Sequence, residues 1–362
     1  MAVTQAQVLD ALKSVLDPDL GRDIVSLGFV KHVGIDGGKV ALRIELTTPA
    51  CPVKDQLKAQ AEAAVRRLPG VVAVAAEMTA SVKGSGRLPV AGDLAPNVKN
   101  FIAVGAGKGG VGKSTVSVNL AVALQQAGAA VGLLDADVYG PSVPKMLGNE
   151  RRPEAVDAQH VKPNEAHGLK MMSMGLVLDP DKPVVWRGPI VHTAIKQFLG
   201  EVVWGALDYL VIDLPPGTGD VPLSLAQSVP VTGAVVVCTP QDVALLDVRK
   251  AVGMFRTLKI PILGLVENMS YYACPHCGAR DDIFGHGGAQ AWAKKEGIPF
   301  LGAIPLHAQV RVGGDAGLPA CLDPATPEAV KQAFRSAAAE LARQVSIAQL
   351  SRPATAPLEI TG

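Results

Sequence analysis

The sequence carries almost no net charge, with 34 Lys and Arg against 33 Asp and Glu in 362 residues. Without an excess of positive charge it has no electrostatic footprint for nucleic acid or for an anionic membrane surface, and neither is expected as a partner. Long apolar runs are missing too. None approaches the ~18 residues that a membrane span requires. The opening stretch MAVTQAQVLDALKSVL has no basic flank ahead of an apolar segment, so no export signal is expected. Cysteine is scarce, with 5 in the chain: Cys51, Cys238, Cys274, Cys277 and Cys321. An odd count without an export signal argues against a disulfide framework. The expectation is a cytoplasmic protein in which closely spaced cysteines are metal ligands or redox groups. No internal repeat is visible.

What is present is ample apolar matter, 48% of the chain, and a length that suits two domains. The first 82 residues read as a small α+β unit. Thr4 and Gln7 form a capping box ahead of a helix whose apolar face is Val8, Leu12, Val15 and Leu16. Val40, Leu42, Ile44 and Leu46 alternate with polar or small residues, the pattern of a half-buried strand. A helix from about Val53 to Leu68 is stopped by Pro69-Gly70, and a strand is expected over Val71–Ala76. Residues 83–100, rich in Gly and Pro and without periodicity, read as a linker.

From Phe101 to about Leu350 the texture changes. Short β-branched runs (FIAVGA, AVGLLDAD, YLVIDLPP, GAVVVCTP, ILGLVEN) alternate with helical segments. Continuous apolar strands suit a mostly parallel sheet covered on both faces, so the expected fold is a doubly wound α/β domain. A last helix carries Val330, Phe334, Ala337, Ala338 and Leu341 on one face, and the tail 351–362 is expected to be disordered.

Gly107, Lys108, Gly109, Gly110, Val111, Gly112, Lys113 and Ser114 match G-x-x-x-x-G-K-[ST], with Thr115 following. The segment lies between an apolar strand and a helix expected to bury Val116, Leu120, Leu124 and Ala127, as a P-loop requires. Glycines let backbone N–H groups turn onto phosphate oxygens, and the helix N-terminus adds about half a positive charge. Lys113 is expected on the β- and γ-phosphates and Ser114 on Mg²⁺. Asp135 and Asp137 follow one apolar strand and Asp213 ends another, where open α/β sheets present ligand-facing groups. An Asp at a strand end also serves as a cap or turn residue, but behind so apolar a strand Asp213 is read as the acid that holds Mg²⁺ through water. Asp220 closes the GTGD stretch as a candidate sensor of the γ-phosphate. The chain has no N-K-x-D sequence for reading guanine, which favours ATP.

Cys274-Pro275-His276-Cys277-Gly278 places two thiolates within reach of one metal or cluster. Structural zinc and a [4Fe–4S] cluster both want four ligands, and no second C-x-x-C exists. Two chains meeting about a two-fold axis, each donating a pair, would close the set. Spacing leaves zinc and an iron–sulfur cluster equally open. A thioredoxin-like pair fits less well because Gly278 interrupts the helix such a pair would open. Cys238, inside an apolar strand, reads as a small buried hydrophobe. Cys51 reads equally as a transient ligand or an inert thiol.

GKGGVGKST resembles the deviant Walker A loop of the family that includes the nitrogenase iron protein and the bacterial division-site ATPases. That resemblance implies that Lys108 reaches across a dimer to the partner's nucleotide, that Asp137 orients the attacking water with Asp135 in support, and that Asn268 contacts adenine. The stretches LLDADVYGPS, VVWRGP, LDYLVIDLPPGTGD, TPQDVALLDVRKAVGMF, ENMSYYACPHCG and IFGHGG together resemble the Mrp-type iron–sulfur cluster carriers. DPDLG, SLGFV and TTPACP resemble the small domain often fused to them. The resemblance implies a homodimer that holds a [4Fe–4S] cluster through Cys274 and Cys277, served by a cluster-assembly scaffold and delivering to apoproteins. Ile190 stands where Met is usual in that family, and Cys238 where Thr is common.

Overall fold

A computed structural model describes residues 3–84, 92–177, 188–217, 219–274 and 277–351. The expected disordered tail (from 352 on), most of the VVWRGP stretch and part of the expected linker lie outside the described residues. The chain divides into two compact units, Met1–Lys83 and Gly84–Gly362.

The smaller unit opens with α1 (Gln5–Leu12), whose capping box is formed: Thr4 takes the Gln7 N–H and the Gln7 side chain takes that of Thr4. A short ribbon, β1 (Leu16–Asp17) with β2 (Arg22–Asp23), precedes β3 (Val30–Asp36), β4 (Lys39–Leu46), α2 (Lys54–Arg66) and β5 (Ala73–Ala80). The sheet order is β3-β4-β5, antiparallel then parallel. Val40, Leu42, Ile44 and Leu46 face a core with Leu12, Leu57 and Val65, the inward half of the period-two pattern. The final strand differs from the expected Val71–Ala76. Gly70 turns with φ +85°, Val72 is 77% exposed, and pairing with β4 begins only at Lys39 opposite Ala73, so the strand runs on to Ala80.

The larger unit is built on β6 (Phe101–Ala106), α3 (Lys113–Gln126), β7 (Val131–Asp135), α4 (Val143–Met146), β8 (Asn164–Ala166), β9 (Leu169–Ser173) and α5 (Gly188–Gly200). It continues through β10 (Tyr209–Asp213), α6 (Asp220–Ser228), β11 (Val231–Cys238), α7 (Asp242–Thr257), β12 (Ile262–Glu267), β13 (Tyr272–Ala273), β14 (Arg280–Asp281), α8 (Gly288–Glu296), β15 (Phe300–Ala303), α9 (Ala308–Asp315) and α10 (Glu328–Leu350). Among the described residues the sheet has order β15-β12-β11-β6-β10-β7-β9-β8, parallel except for the edge strand β8. The strands β6, β7, β10 and β11 are buried along their whole length, which requires helices on both faces.

Helix α3 departs from the one-sided apolar face expected of it. It is buried from Val116 to Leu124 without a break, because α10, from the far end of the sequence, packs along it. Ala127 is the C-cap rather than a core residue, and Gly128 follows with φ +102°. Residues 97–100 are tied to the segment before β10: Lys99 N–H donates to Leu207 O at 2.9 Å, and the Lys99 ammonium meets Asp208 at 2.8 Å.

Candidate functional site

The carboxyl ends of the parallel strands gather the chemistry, as the winding of such a sheet requires. The loop after β6 turns into α3 at Gly112, left-handed with φ +80°, a conformation that glycine adopts without strain. A β-carbon there would lie 2.2 Å from Nδ2 of Asn268. Gly107 is needed for a different reason: its Cα side faces the Asp247 backbone, and a β-carbon would fall 2.3 Å from it. Gly109 and Gly110 have nothing within 4 Å of that position, so the backbone there is open to a ligand.

The loop lines a cavity of about 620 Å³. Lys108, Lys113, Ser114, Thr115, Asp137 and Asn268 line it, together with Leu306, His307 and Val310. The Lys108 ammonium makes no ion pair among the described residues. Val111 is buried, and its carbonyl accepts the Asn268 amide at 2.9 Å. Asp220, exposed, is the first residue of α6 and does not line the cavity.

Beneath the cavity floor lies a carboxylate cluster. Lys113 Nζ reaches Asp213 Oδ2 at 2.8 Å and Asp137 Oδ2 at 3.6 Å. The Ser114 hydroxyl donates to Asp213 Oδ2 at 2.6 Å. Asp135 sits beside Asp213 in the β7–β10 register and is fully buried. Burial first, and then the neighbouring Asp213 charge, push the Asp135 carboxyl up to about 7. Ser173 and the Val143 N–H hydrogen-bond its Oδ2, at 2.9 Å and 3.2 Å. Burial also raises Asp137, although Lys113 opposes the shift. Oδ1 of Asp137 is buried without a hydrogen-bond partner. An orphaned buried acceptor on a cavity wall is costly unless a ligand, water or cation meets it.

Two serines escaped the sequence reading. Ser117 donates to Asp213 Oδ1 at 2.6 Å, so each carboxylate oxygen has a hydroxyl. Its position one helical turn beyond Lys113 and Ser114 was a legible signal. Ser173 comes from a strand that the sequence pattern did not reveal.

Cys274 and Cys277 flank the turn between β13 and β14, an antiparallel ribbon. Cys274 N–H donates to Ala279 O, and Gly278, at φ +71°, returns its N–H to Cys274 O. Cys277 is exposed and Cys274 half-buried. Pro275 and His276 lie outside the described residues. Among the described residues no third His, Cys, Asp or Glu joins the pair to form a metal-holding group. The hairpin follows β12, so the thiols lie at the same carboxyl edge of the sheet as the phosphate loop. Cys238 and Cys321 are buried, and Cys51 is half-buried in the smaller unit.

A glycine loop between a central parallel strand and a helix, with acids from two neighbouring strands beneath it, defines a P-loop NTPase. The chain belongs to the family described as NUBPL iron-transfer P-loop NTPase, which it matches over residues 97–342. Residues 5–76 match a second family, described as an iron-sulfur cluster assembly protein. An iron-sulfur cluster carrier protein of Deinococcus radiodurans is 50% identical, across 95% of this chain and 96% of its own. One of Synechocystis is 47% identical, across 96% and 99%. A nucleotide-binding protein of Archaeoglobus fulgidus solved in complex with ADP is 43% identical, with a TM-score of 0.55, covering 61% of this chain and 87% of its own. No described helix is long and apolar enough to cross a membrane.

Proposed function

We propose that the chain is a cytoplasmic ATPase that carries a [4Fe–4S] cluster between two copies of itself and passes it to apoproteins. The observation that carries this reading is the pair of thiols at one hairpin turn, at the edge of the sheet that also bears the phosphate loop, with no third ligand among the described residues. A two-ligand half-site is incomplete alone, and a two-fold axis through the turns completes it with four sulfurs. The cluster is cargo, supplied by an assembly scaffold.

For the nucleotide, the residues fit ATP. The open backbone at Gly109 and Gly110 suits phosphate oxygens, and Lys113 supplies charge to them. Mg²⁺ fits the Ser114 hydroxyl and, through water, Asp213, where it would neutralise developing phosphate charge. Asp137, with an unpartnered buried oxygen on the cavity wall, orients the attacking water, and Asp135 holds the Asp137 backbone from behind. Asn268 contacts the adenine side of the cavity. Lys108, which has no ion-pair partner among the described residues, reaches the partner's nucleotide and stabilises transition-state charge as an arginine finger does. Hydrolysis is modest and gated by the dimer, so nucleotide state governs cluster retention. The smaller unit is a second domain joined near Lys83.

The test is iron and acid-labile sulfide analysis of protein reconstituted without oxygen, alongside Cys274→Ala and Cys277→Ala. Brown protein, with colour and sulfide lost in both variants while ATP binding persists, supports the reading. Colourless protein with zinc and no sulfide overturns it in favour of a zinc-bridged nucleotide switch.

A further inference from the structure

Five residues, Met269 to Ala273, separate the cavity residue Asn268 from Cys274. The first three of them, Met269 to Tyr271, form a strap anchored to cavity-lining residues at both ends. Asn268 holds the phosphate loop through the Val111 carbonyl, and the N–H of Leu306, another cavity-lining residue, donates to Tyr271 O at 2.7 Å. Between them Met269 is left-handed, φ +54°, a conformation that a side chain disfavours. It is kept there by bonds on either side, from Asn268 N–H to Cys238 O and from Ser270 N–H to Ile304 O.

A second set of contacts ties the strap to the segment that opens α8 and, through Tyr271 and Arg280, to the cysteine hairpin. Glu267, fully buried at the end of β12, accepts the Ser270 hydroxyl at 2.6 Å and the Gly287 N–H at 2.9 Å on one oxygen. Its other oxygen takes the Ala289 N–H at 2.8 Å, at the N-terminus of α8. Ser270 Oγ also meets His286 Nδ1 at 2.7 Å. The single hydroxyl proton goes to the carboxylate, so Nδ1 carries a hydrogen and donates it to Ser270. The His286 ring stands edge-on to Tyr271, centroids 6.1 Å apart. The Arg280 guanidinium also lies over the Tyr271 ring, 4.3 Å from its centre, and Arg280 belongs to β14 of the hairpin.

We infer that His286, seated through Ser270 on Glu267, is a positioning residue that couples the nucleotide cavity to Cys274 and Cys277 through the Met269–Tyr271 strap. Phosphate binding that moves Val111 or Leu306 pulls on this strap, and the clasp passes the displacement to the hairpin rather than letting it dissipate in the turn. The inference deepens the carrier reading and rests on it for its purpose, but the coupling is a property of the protein without cargo.

The experiment uses the full chain, reduced and free of cluster. Alkylation rates of Cys274 and Cys277 are measured by mass spectrometry with Mg²⁺-ATP and without nucleotide, at matched dimer content. In the unaltered chain the two rates should differ about fivefold or more, the lower range of allosteric coupling. His286→Ala should bring the ratio to unity with ATP affinity unchanged, and His286→Asn, which keeps a donor near the Nδ1 position, should restore it. Ser270→Ala, a smaller change, should act like His286→Ala and decides the matter if the latter misfolds. A ratio near unity in the unaltered chain, or a full ratio in His286→Ala or Ser270→Ala, overturns the inference. Cluster loading is scored separately: a chain that keeps the ratio but never takes up iron sinks the carrier reading alone.

Discussion

Ser117 and Asp213 are joined by a 2.6 Å hydrogen bond to Oδ1, on the side of the carboxylate away from Lys113 and Ser114. The bond fixes the acid's rotation from below, so that Oδ2 faces the loop. In Ser117→Ala that oxygen is left buried without its donor, which should cost about 1–3 kcal/mol. Denaturant unfolding of the nucleotide-free protein checks the loss, and steady-state hydrolysis should fall with it.

Gly112→Ala should abolish ATP binding while the secondary structure survives. The new β-carbon would meet Asn268 Nδ2 at 2.2 Å, and φ +80° is strained for any residue with a side chain. The backbone strain alone is worth about 1–3 kcal/mol. Gly109→Ala, with nothing within 4 Å, should leave the melting temperature unchanged. Thermal melts and ATP titration of both variants distinguish the two positions.

Thiol reactivity should divide the cysteines sharply. Burial pushes Cys321 up to about 12 and Cys238 higher still, with the Glu267 charge adding to the latter. Only the thiolate attacks, so at pH 8 both should stay unlabelled by iodoacetamide in the folded protein, while exposed Cys277 reacts. Labelling of Cys238 should appear only on unfolding, in step with loss of structure. Peptide mass spectrometry reads each site.

Lys108→Ala should retain ATP binding but lose hydrolysis by about a thousandfold or more, the scale of a missing charged finger. Asp137→Asn should be inactive for a separate reason. Mixed together, the two should regain activity, because the Lys108→Ala site receives a lysine from its Asp137→Asn partner. A mixture as inactive as its components would mean that Lys108 acts within its own chain or not on the nucleotide.

Much of this was legible in the residues. The alternation from Val40 to Leu46 gave a strand with its inward face, and the P-loop glycines with Lys113 and Ser114 marked the turn from β6 into α3 that lines the cavity, because that pattern is local. What escaped depends on partners distant in sequence. Strands β8, β9 and β15 are short and owe their form to pairing with neighbours. The all-round burial of α3 depends on a helix more than two hundred residues later, and no window on α3 contains it. The Glu267–Ser270–His286 clasp joins ENMS to IFGHGG, two stretches visible only as separate signatures until the fold closes them together.

Native mass spectrometry of the chain reconstituted without oxygen in the presence of Mg²⁺-ATP tests the central claim most directly. The account predicts a species of two chains bearing a single [4Fe–4S] cluster, collapsing to cluster-free chains when Cys277 is changed to Ala. A cluster held by a single chain, or a two-chain species of unchanged iron content in that variant, would contradict it.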